Sequence, residues 1–423
     1  METTLIRCGK LFDGVKEDLV PDMEILVEGE RIAAVGKNLP HPEGCKVIDL
    51  SGSTVTPGMI DAHVHPDAFD NDTMFMETIF ASDDWRTLGT LHTCQQALHR
   101  GFTTLRIPGT IASCSYGLAD VRRAIDAGYF EGTRLVIAFR SMGTTGSHGD
   151  LTQRLHAHPL LGDLYEAAAT GIANGPDEFR KAVRKEIKYG ADFIKIMATG
   201  GFASPNDGPE EQHCNDDEFR AIIETAHNLC RPVTAHTYAP DLLIKLSNMG
   251  IDGLEHGALM DERAAEVLEK NGTYLVPTFC PYDEIINQDE ENLRKKKPEF
   301  QRKLRAYAER LTEARKVIRQ SNLTLGYGTD FVAVHQPYEN GYEYSAWLRS
   351  GMDPFRALKA ATSVNAKILR RDDIGQIAPG KLADISAWNR DLLTDHEALL
   401  DCAFVMKGGV VYDAVSVVGP KQK

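Results

Sequence analysis

The sequence has no long apolar run and no excess of positive charge, and both absences narrow the classes of protein it can be. No stretch of about 18 uncharged apolar residues occurs in its 423 residues, so a membrane-spanning helix is not expected. Acidic residues outnumber basic residues by 61 to 47, which gives a formal net charge of -14. Such a surface repels phosphate backbones and anionic lipid headgroups, so we expect neither nucleic acid nor a membrane as a partner.

Cysteine pairs with metal-binding or redox spacing are also lacking. The eight cysteines are scattered along the chain, and none forms a Cys-x-x-Cys pair. A chain of this length does not need disulfides to build a core, so we interpret the cysteines as buried free thiols. The first residues show no basic segment followed by an apolar segment, which a secretory signal would require. Together these absences favour a soluble, cytoplasmic protein.

The order of strand-like and helix-like patterns predicts an α/β fold. Eight short apolar runs lie between residues 58 and 328, and helical periodicity follows most of them. This alternation predicts a (β/α)8 barrel over residues 57–369. Short β-rich segments at the two ends predict that residues 1–56 and 370–423 together form one small β-sandwich domain. An open, doubly wound sheet is the alternative, but it would not bring ligands from five strands to one site.

Polar residues that could bind metal follow several of the predicted barrel strands. His63 and His65 end the first strand, and the alternation of side chains along a strand lets both imidazoles face one ion. Each such residue alone is more often a satisfied buried or loop polar group than a ligand. Their common position is what matters, because barrel active sites occupy the C-terminal ends of the strands. The complete set comprises His63, His65, Lys195, His236, His256 and Asp330.

Lys195 is the unusual member of this set, because it lies within an apolar strand. A buried lysine without a partner is costly, and pairing with a nearby carboxylate is the simplest explanation for it. As an ammonium it has no lone pair to donate and would be repelled by two dications. A neutral amine that reacts with carbon dioxide becomes a carbamate, an anion whose two oxygens can bridge two metals.

These motifs and their order resemble the amidohydrolase superfamily. The resemblance rests on residues 57–65, on Lys195, His236 and His256 in their strands, and on Gly328-Thr329-Asp330. The tail of residues 375–385 also fits, so nearly the whole chain is covered. The resemblance implies a distorted (β/α)8 TIM barrel beside a β-sandwich built from both termini.

The resemblance also implies two divalent metal ions in the barrel. His63, His65 and Asp330 would bind one metal, His236 and His256 would bind the other, and carboxylated Lys195 would bridge them. Zinc suits such nitrogen and oxygen ligands, although manganese, cobalt and iron can occupy similar sites. The nucleophile would be a metal-bridging hydroxide, because metals lower the pKa of bound water from about 15.7 to about 7. Asp330 would take its proton and pass it to the leaving nitrogen.

Within the superfamily, the chain is most similar to imidazolonepropionase-like enzymes, prolidases and Xaa-Arg or Xaa-Lys dipeptidases. In that branch, residues at these positions hold a dipeptide substrate. The resemblance implies that Tyr238 donates a hydrogen bond to the substrate carboxylate and that His148 donates one to the scissile carbonyl. Thr199 and Gly200 would give the backbone close access to the substrate. The structural alternatives are a packed wall residue for Tyr238, a loop turn for His148, and a tight turn for Thr199 and Gly200.

An L-Xaa-L-Pro dipeptide is the substrate that we expect, because its secondary-amine leaving group needs a proton that Asp330 could supply. The first alternative is an Xaa-Arg or Xaa-Lys dipeptidase or carboxypeptidase, which would need a carboxylate near the barrel mouth. A cyclic-amide hydrolase like imidazolonepropionase comes next, followed by a mononuclear deaminase, which would lack Lys195. A non-catalytic scaffold homologue would typically have lost metal ligands. The candidate carboxylates for a cationic substrate are Asp150, Asp207, Glu210 and Glu211.

Three further features of the sequence do not distinguish between these functions. Relatives often have an aspartate directly after the arginine at position 106, but this chain has Ile107, so we interpret Arg106 as part of a structural salt bridge. The insertion at residues 148–175 interrupts the alternation, and such loops often cover the active face of a barrel. The charged helix at residues 300–319 is interpreted as a solvated face. A homo-oligomer is compatible with the sequence, but no interface can be identified from the sequence alone.

Overall fold

The computed structural model describes residues 3–67, 82–110, 116–150, 171–204, 206–330 and 339–415. Its strands form two sheets, one built from the middle of the chain and one from both ends. The strands are β1 (Thr3–Leu11), β2 (Val20–Pro21), β3 (Glu24–Glu28), β4 (Arg31–Gly36), β5 (Lys46–Pro57), β6 (Met59–Asp61), β7 (Phe102–Thr110), β8 (Arg134–Met142), β9 (Ile194–Met197), β10 (Val233–Thr237), β11 (Gly253–His256), β12 (Tyr274–Val276), β13 (Ile385–Trp388), β14 (Cys402–Lys407) and β15 (Val410–Tyr412).

Helices lie between the strands of the middle sheet and after its last strand. Helix α4 begins with a capping box, in which the side chains of Asn215 and Glu218 each accept a hydrogen bond from the backbone amide of the other residue. Helix α6 ends at Gly272, which has a left-handed φ of 71°. The described helices are α1 (Asp83–His99), α2 (Gly117–Asp126), α3 (Pro176–Lys188), α4 (Asp216–Asn228), α5 (Pro240–Asn248), α6 (Glu262–Asn271), α7 (Asp283–Ile286), α8 (Glu290–Leu293), α9 (Pro298–Gln320), α10 (Gly341–Arg349), α11 (Pro354–Lys359) and α12 (Asn365–Ile368).

The middle sheet is the predicted barrel. Strands β6 to β12 are parallel neighbours in sequence order, and an eighth segment closes the ring between β12 and β6. Leu325 pairs in parallel with Leu275, and the Gly326 amide donates to the Leu275 carbonyl at 2.8 Å. On the other side, the Ala62 amide donates to the Tyr327 carbonyl at 2.8 Å. The eighth segment pairs too briefly to be a regular strand, which makes the (β/α)8 barrel a distorted one.

The second sheet combines strands from both termini, as predicted. Its order is β15-β14-β13-β5-β1-β3-β4, with β2 paired to β1, and it is antiparallel except for the β1–β5 pair. Apolar residues from β3 and β4, such as Val27 and Ile32, share one core with Phe404 and Met406 of β14. Both ends of the sheet therefore pack on one core, as in a small β-sandwich.

A larger apolar core fills the barrel and its interface with the helices. It includes fully buried aromatic residues from strands and helices, among them Phe102, Phe139 and Trp347. Each large side chain removed from water in this way stabilises the fold by about 1.5–3 kcal/mol. The seven cysteines in the described ranges are free thiols, as expected, and four of them are buried. The expectation of burial is wrong for the exposed Cys230 and for the partly exposed Cys45 and Cys280, and Cys114 lies outside the described ranges. None of the described helices is both long and apolar enough to cross a membrane.

Candidate active site

His63, His65 and Asp330 meet at the C-terminal end of the barrel. Asp330 Oδ1 lies 3.4 Å from Nε2 of His63 and 3.4 Å from Nε2 of His65. One ligand atom from each residue lies within 4.8 Å of the others, which is a spacing that could hold a metal ion. The structure thus brings together three of the six candidate ligands, although they are up to 267 positions apart in the sequence.

The other ring nitrogens of the two histidines are held in place by the protein. His63 Nδ1 lies 2.7 Å from Oε2 of Glu255, and His65 Nδ1 lies 2.7 Å from the Gly109 carbonyl oxygen. Because each Nδ1–H donates to its oxygen, each Nε2 keeps a lone pair that points towards Asp330. Nε2 of His63 is buried and has no hydrogen-bond partner among the described residues. A buried, oriented and unsatisfied nitrogen of this kind fits a divalent metal ligand.

His256 approaches the same carboxylate from strand β11. Its Nδ1 lies 3.8 Å from Asp330 Oδ2 and 2.7 Å from the Thr278 hydroxyl oxygen. His256, Thr278 and Asp330 have φ values of 69°, 46° and 51°, in a region that non-glycine residues rarely adopt. The Asp330 amide donates to the His63 carbonyl at 2.7 Å, which ties its carboxylate to the first strand. Such backbone strain often marks functional sites.

Lys195 and His236 complete the set on strands β9 and β10. Lys195 is 1% exposed, and burial lowers its pKa to about 8, although the charges of Glu255 and Asp330 oppose that change. The His236 ring packs 4.6 Å from the His256 ring. Burial is the main reason why the pKa values of His236 and His256 lie well below the ordinary range. Both imidazoles are therefore neutral and can offer a lone pair to a metal.

Glu255 connects these side chains to Arg106, and its role was missed in the sequence. Its Oε1 accepts from Arg106 Nη1 at 2.9 Å and from the Thr234 hydroxyl at 2.5 Å. Burial opposes its ionisation, but Arg106 and His63 outweigh burial and hold its pKa well below the usual value. The interpretation of Arg106 as a structural salt bridge agrees with this geometry. The signal for Glu255 was its place one residue before His256 in an apolar strand.

Asp61 is a second residue that sequence reasoning missed. Its carboxylate accepts from the Asn340 amide at 2.7 Å and from the Thr329 hydroxyl at 2.8 Å, one residue before Asp330. It also accepts from the His63 amide at 3.1 Å, so one buried side chain positions the backbone on both sides of the site. Burial raises the pKa of Asp61 to about 7 in spite of these hydrogen bonds.

Tyr238 and His148, the expected substrate contacts, both lie beside His236. The Tyr238 ring is 4.8 Å from the His236 ring, and its hydroxyl oxygen accepts from Tyr282 at 2.9 Å. The His148 ring stacks on the His236 ring at 4.6 Å with an angle of 20° between their planes. His148 Nδ1 lies 2.9 Å from Ser204 Oγ. The structure therefore places both residues next to the histidine cluster.

Thr199 and Gly200 follow β9 at the same end of the barrel. The Thr199 hydroxyl is buried and has no hydrogen-bond partner within the described ranges. At Gly200, a Cβ atom would lie 2.3 Å from the Gly208 carbonyl oxygen, so only glycine fits this close approach. The close approach of the Gly208 backbone is enough to explain why glycine stands at position 200, without any contact to a substrate. This agrees with the tight-turn alternative.

Two carboxylates considered for a cationic substrate are already paired with cations of helix α9. Asp207 lies 3.6 Å from Lys303 Nζ, and Glu210 accepts from Arg310 at 2.8 Å. The Asp150 side chain accepts from the Gly146 amide at 2.8 Å, whereas Glu211 is exposed. The interpretation of this helix as a solvated charged face was wrong for Lys303, whose side chain is only 11% exposed because it reaches into a loop beside the site.

The insertion at residues 148–175 is described only at its ends. Gly143 and Ile172 form a parallel bridge, so the chain returns to the end of β8 after the insertion. Residues 151–170, the main part of the insertion expected to cover the active face, lie outside the described ranges.

Comparison with known proteins gives consistent matches over most of the chain. A sequence model described as the Amidohydrolase family matches residues 54–415. Ochratoxinase of Aspergillus niger is 28% identical over 443 aligned positions, which cover 99% of this chain and 88% of that protein. Imidazolonepropionase of Streptomyces avermitilis is 24% identical over 388 positions, covering 87% and 81%. The crystal structure of a Xaa-Pro dipeptidase with bound methionine in the active site has a TM-score of 0.86 and 27% identity, covering 97% of this chain and 100% of that one.

Proposed function

This chain belongs to the amidohydrolase family, and we propose that it is a binuclear metallohydrolase that cleaves the amide bond of L-Xaa-L-Pro dipeptides. The observation that carries the proposal is the position of Asp330, whose Oδ1 lies 3.4 Å from the Nε2 atoms of both His63 and His65. The proposal assigns residues 57–369 to the catalytic barrel and residues 1–56 with 370–423 to the supporting domain. We propose that the protein acts in the cytoplasm.

The donor set supports two divalent ions, with zinc as the proposed metal. His63, His65 and Asp330 would hold one ion, His236 and His256 the other, and a carbamate on Lys195 would join the two. Burial supports the carbamate, because a lysine pKa of about 8 leaves far more neutral amine at neutral pH than the ordinary value of about 10.4. When bound, such ions lower the pKa of water to about 7 and polarise the substrate carbonyl.

Asp330 is the proposed proton carrier. Burial opposes its ionisation, but the contacts with His63 and His65 keep the pKa of Asp330 well below the ordinary value. It is therefore a carboxylate that can accept a proton during attack on the carbonyl carbon. A proton held on Asp330 can then pass to the leaving nitrogen, as a prolyl leaving group requires.

The hydroxyl of Tyr238 supports recognition of a free substrate carboxylate. Tyr282 donates to the Tyr238 oxygen, so the proton of Tyr238 is available to a different acceptor. Burial raises the pKa of Tyr238, which keeps this proton in place at all ordinary pH values. We propose that it donates to the C-terminal carboxylate of the dipeptide. His148 stacks on the His236 ring and is proposed to donate to the scissile carbonyl. Thr199 and Gly200 are proposed to line the substrate path.

Substrates with a C-terminal Arg or Lys are less well supported. Such a side chain would need an available carboxylate, and two of the four candidates, Asp207 and Glu210, are already paired with Lys303 and Arg310. Ochratoxin hydrolysis is the second candidate function, because ochratoxinase aligns with 99% of this chain. Cyclic amides are the third, because imidazolonepropionase aligns with 87% of it.

The proposal is tested by measuring free amino acid release from a library of L-Xaa-L-Xaa dipeptides, with zinc-loaded protein of known metal content. Cleavage restricted to C-terminal proline, with two metal equivalents per chain, is the expected result. Preference for C-terminal Arg or Lys would replace the prolidase proposal with a cationic dipeptidase. If no dipeptide is cleaved, the dipeptide proposal fails, and ochratoxin and cyclic amides in the same assay separate the two remaining functions.

A further inference from the structure

We propose that Lys303, on helix α9 outside the barrel, is a positioning residue that fixes His148 through a short loop beside the site. We call residues 200–204 together with Asp207 the Gly201 loop. The functional part of this inference rests on the proposed role of His148 in binding the substrate carbonyl. The structural part, in which Lys303 holds the loop and the loop holds the ring, is independent of the substrate.

Lys303 binds the Gly201 loop with all three hydrogens of its ammonium group. Its Nζ donates to the carbonyl oxygen of Gly201 at 2.7 Å, to that of Ser204 at 2.6 Å, and to that of Asp207. The same nitrogen lies 3.6 Å from Asp207 Oδ1. An ammonium group has three donors and no acceptor, so these three carbonyls satisfy it completely. A methyl group in place of the ammonium group would leave these three carbonyl oxygens without their hydrogen-bond donor.

Asp207 transmits this constraint to the imidazole of His148. Its Oδ1 accepts from the Gly201 amide at 2.8 Å and from the Ser204 hydroxyl. Because the Ser204 hydroxyl donates to Asp207, its oxygen is left to accept from His148 Nδ1 at 2.9 Å. Asp207 Oδ2 also lies 3.7 Å from that nitrogen. Nδ1 therefore carries a hydrogen, and Nε2 is the ring nitrogen left for a substrate. Donation from Nε2 to a carbonyl requires a hydrogen there as well, that is, the imidazolium form of the ring.

Van der Waals contacts make the ring sensitive to the position of the loop. A Cβ atom on Gly201 would lie 2.2 Å from the His148 ring, so the ring packs directly on the loop backbone. The His148 ring also stacks on the His236 ring, with centroids 4.6 Å apart. The ring thus contacts both a candidate metal ligand and the Gly201 loop, and a shift of the loop must move or release it.

Helix α9 is anchored independently of Lys303, which allows the lysine to be changed without losing the helix. Leu304 and Leu311 of this helix are buried in a small apolar core together with Phe202 and Tyr282. The Tyr307 ring also packs edge-on against Phe202 at 5.7 Å. Lys303→Met keeps the length and most of the apolar contact of the side chain and removes only its donors and charge. Lys316→Met, on the exposed face of the same helix, is the matched control.

The structural part is tested on the zinc-loaded protein by hydrogen exchange and by NMR of ¹⁵N-histidine. In Lys303→Met, we expect amide exchange at residues 200–204 to accelerate at least tenfold and the Nδ1–H signal of His148 to weaken or shift. Lys316→Met should change neither. Unchanged exchange and an unchanged His148 signal in Lys303→Met would overturn the inference, whether or not the protein hydrolyses any dipeptide.

The functional part is tested by a double-mutant cycle with the substrate found by the library assay. Lys303→Met should lower kcat on the order of 10²-fold, as expected for a misplaced group near the reacting atoms, with a small change in KM. In a His148→Ala background, the same substitution should cost less than threefold, because the residue through which it acts is gone. Equal losses in both backgrounds would show that Lys303 does not act through His148.

Discussion

Glu255 lies 2.7 Å from Nδ1 of His63 through one carboxylate oxygen, and its other oxygen is held by Arg106 at 2.9 Å. All three side chains are at most 2% exposed. The carboxylate thus keeps the hydrogen of His63 on Nδ1 and directs Nε2 to the site, while Arg106 compensates its charge. This relationship explains how an ionised glutamate can be buried directly beneath a proposed metal ligand.

Glu255→Gln should weaken metal binding and destabilise the fold together. The amide keeps the size of the side chain but no longer balances Arg106, and loss of one partner of a buried ion pair costs about 3–5 kcal/mol. Loss of an outer partner of a ligating histidine typically lowers metal affinity by about 10–100-fold. Competition with a chelator measures the affinity, and thermal unfolding measures the stability. Glu266→Gln, at an exposed position of helix α6, is the control, and equal affinity in both variants would argue against this role of Glu255.

The barrel and the cluster of candidate ligands could be predicted from the sequence because both depend on local patterns of apolar and polar residues. Apolar strands followed by helical periodicity predicted the fold, and polar residues at strand ends predicted that the six candidate ligands share one face of the barrel. The grouping of His63, His65 and Asp330 came from the resemblance to the amidohydrolase superfamily.

The supporting contacts could not be predicted, because each depends on a precise approach of distant segments. Arg106 and Glu255 are 149 positions apart, and Lys303 and Gly201 are 102 positions apart. On a helix as charged as α9, one buried lysine has the same local pattern as its exposed neighbours. Only the packed structure distinguishes them, since the distinction lies in what each side chain reaches.

Reconstitution of the metal-free protein should depend on carbon dioxide and on pH. Burial lowers the pKa of Lys195 to about 8, so roughly one-tenth of the amine is neutral at pH 7 and most of it at pH 9. The rate of activation by zinc at constant dissolved carbon dioxide should therefore rise with pH over this range. Bicarbonate-free buffer should give little activity.

The Lys195→Ala variant provides the control for the carbamate. It should bind less metal, have no measurable turnover, and show no response to bicarbonate. Metal content by elemental analysis and initial rates of dipeptide cleavage are the measurements. Full activity of this variant with two bound metals would exclude the carbamate.

Asp330→Asn should separate metal binding from proton transfer. The amide can still present an oxygen to a metal but cannot take up a proton, so kcat should fall by about 10²–10⁴-fold. Metal content should fall far less than turnover. A loss of kcat smaller than tenfold, with both metals bound, would assign the proton transfer to another group.

Tyr238→Phe should raise KM for free dipeptides by about 10–100-fold and leave kcat nearly unchanged, because hydrogen bonds to charged groups contribute about 1.5–3 kcal/mol. The matched substrate is the same dipeptide with a C-terminal carboxamide, on which wild type and variant should differ little. Tyr282→Phe removes only the donor that orients Tyr238, so its effect on KM should have the same substrate dependence and be smaller. Steady-state kinetics on the two substrates measure both effects. Equal effects on acid and amide substrates would mean that Tyr238 shapes the wall of the site and does not bind the carboxylate.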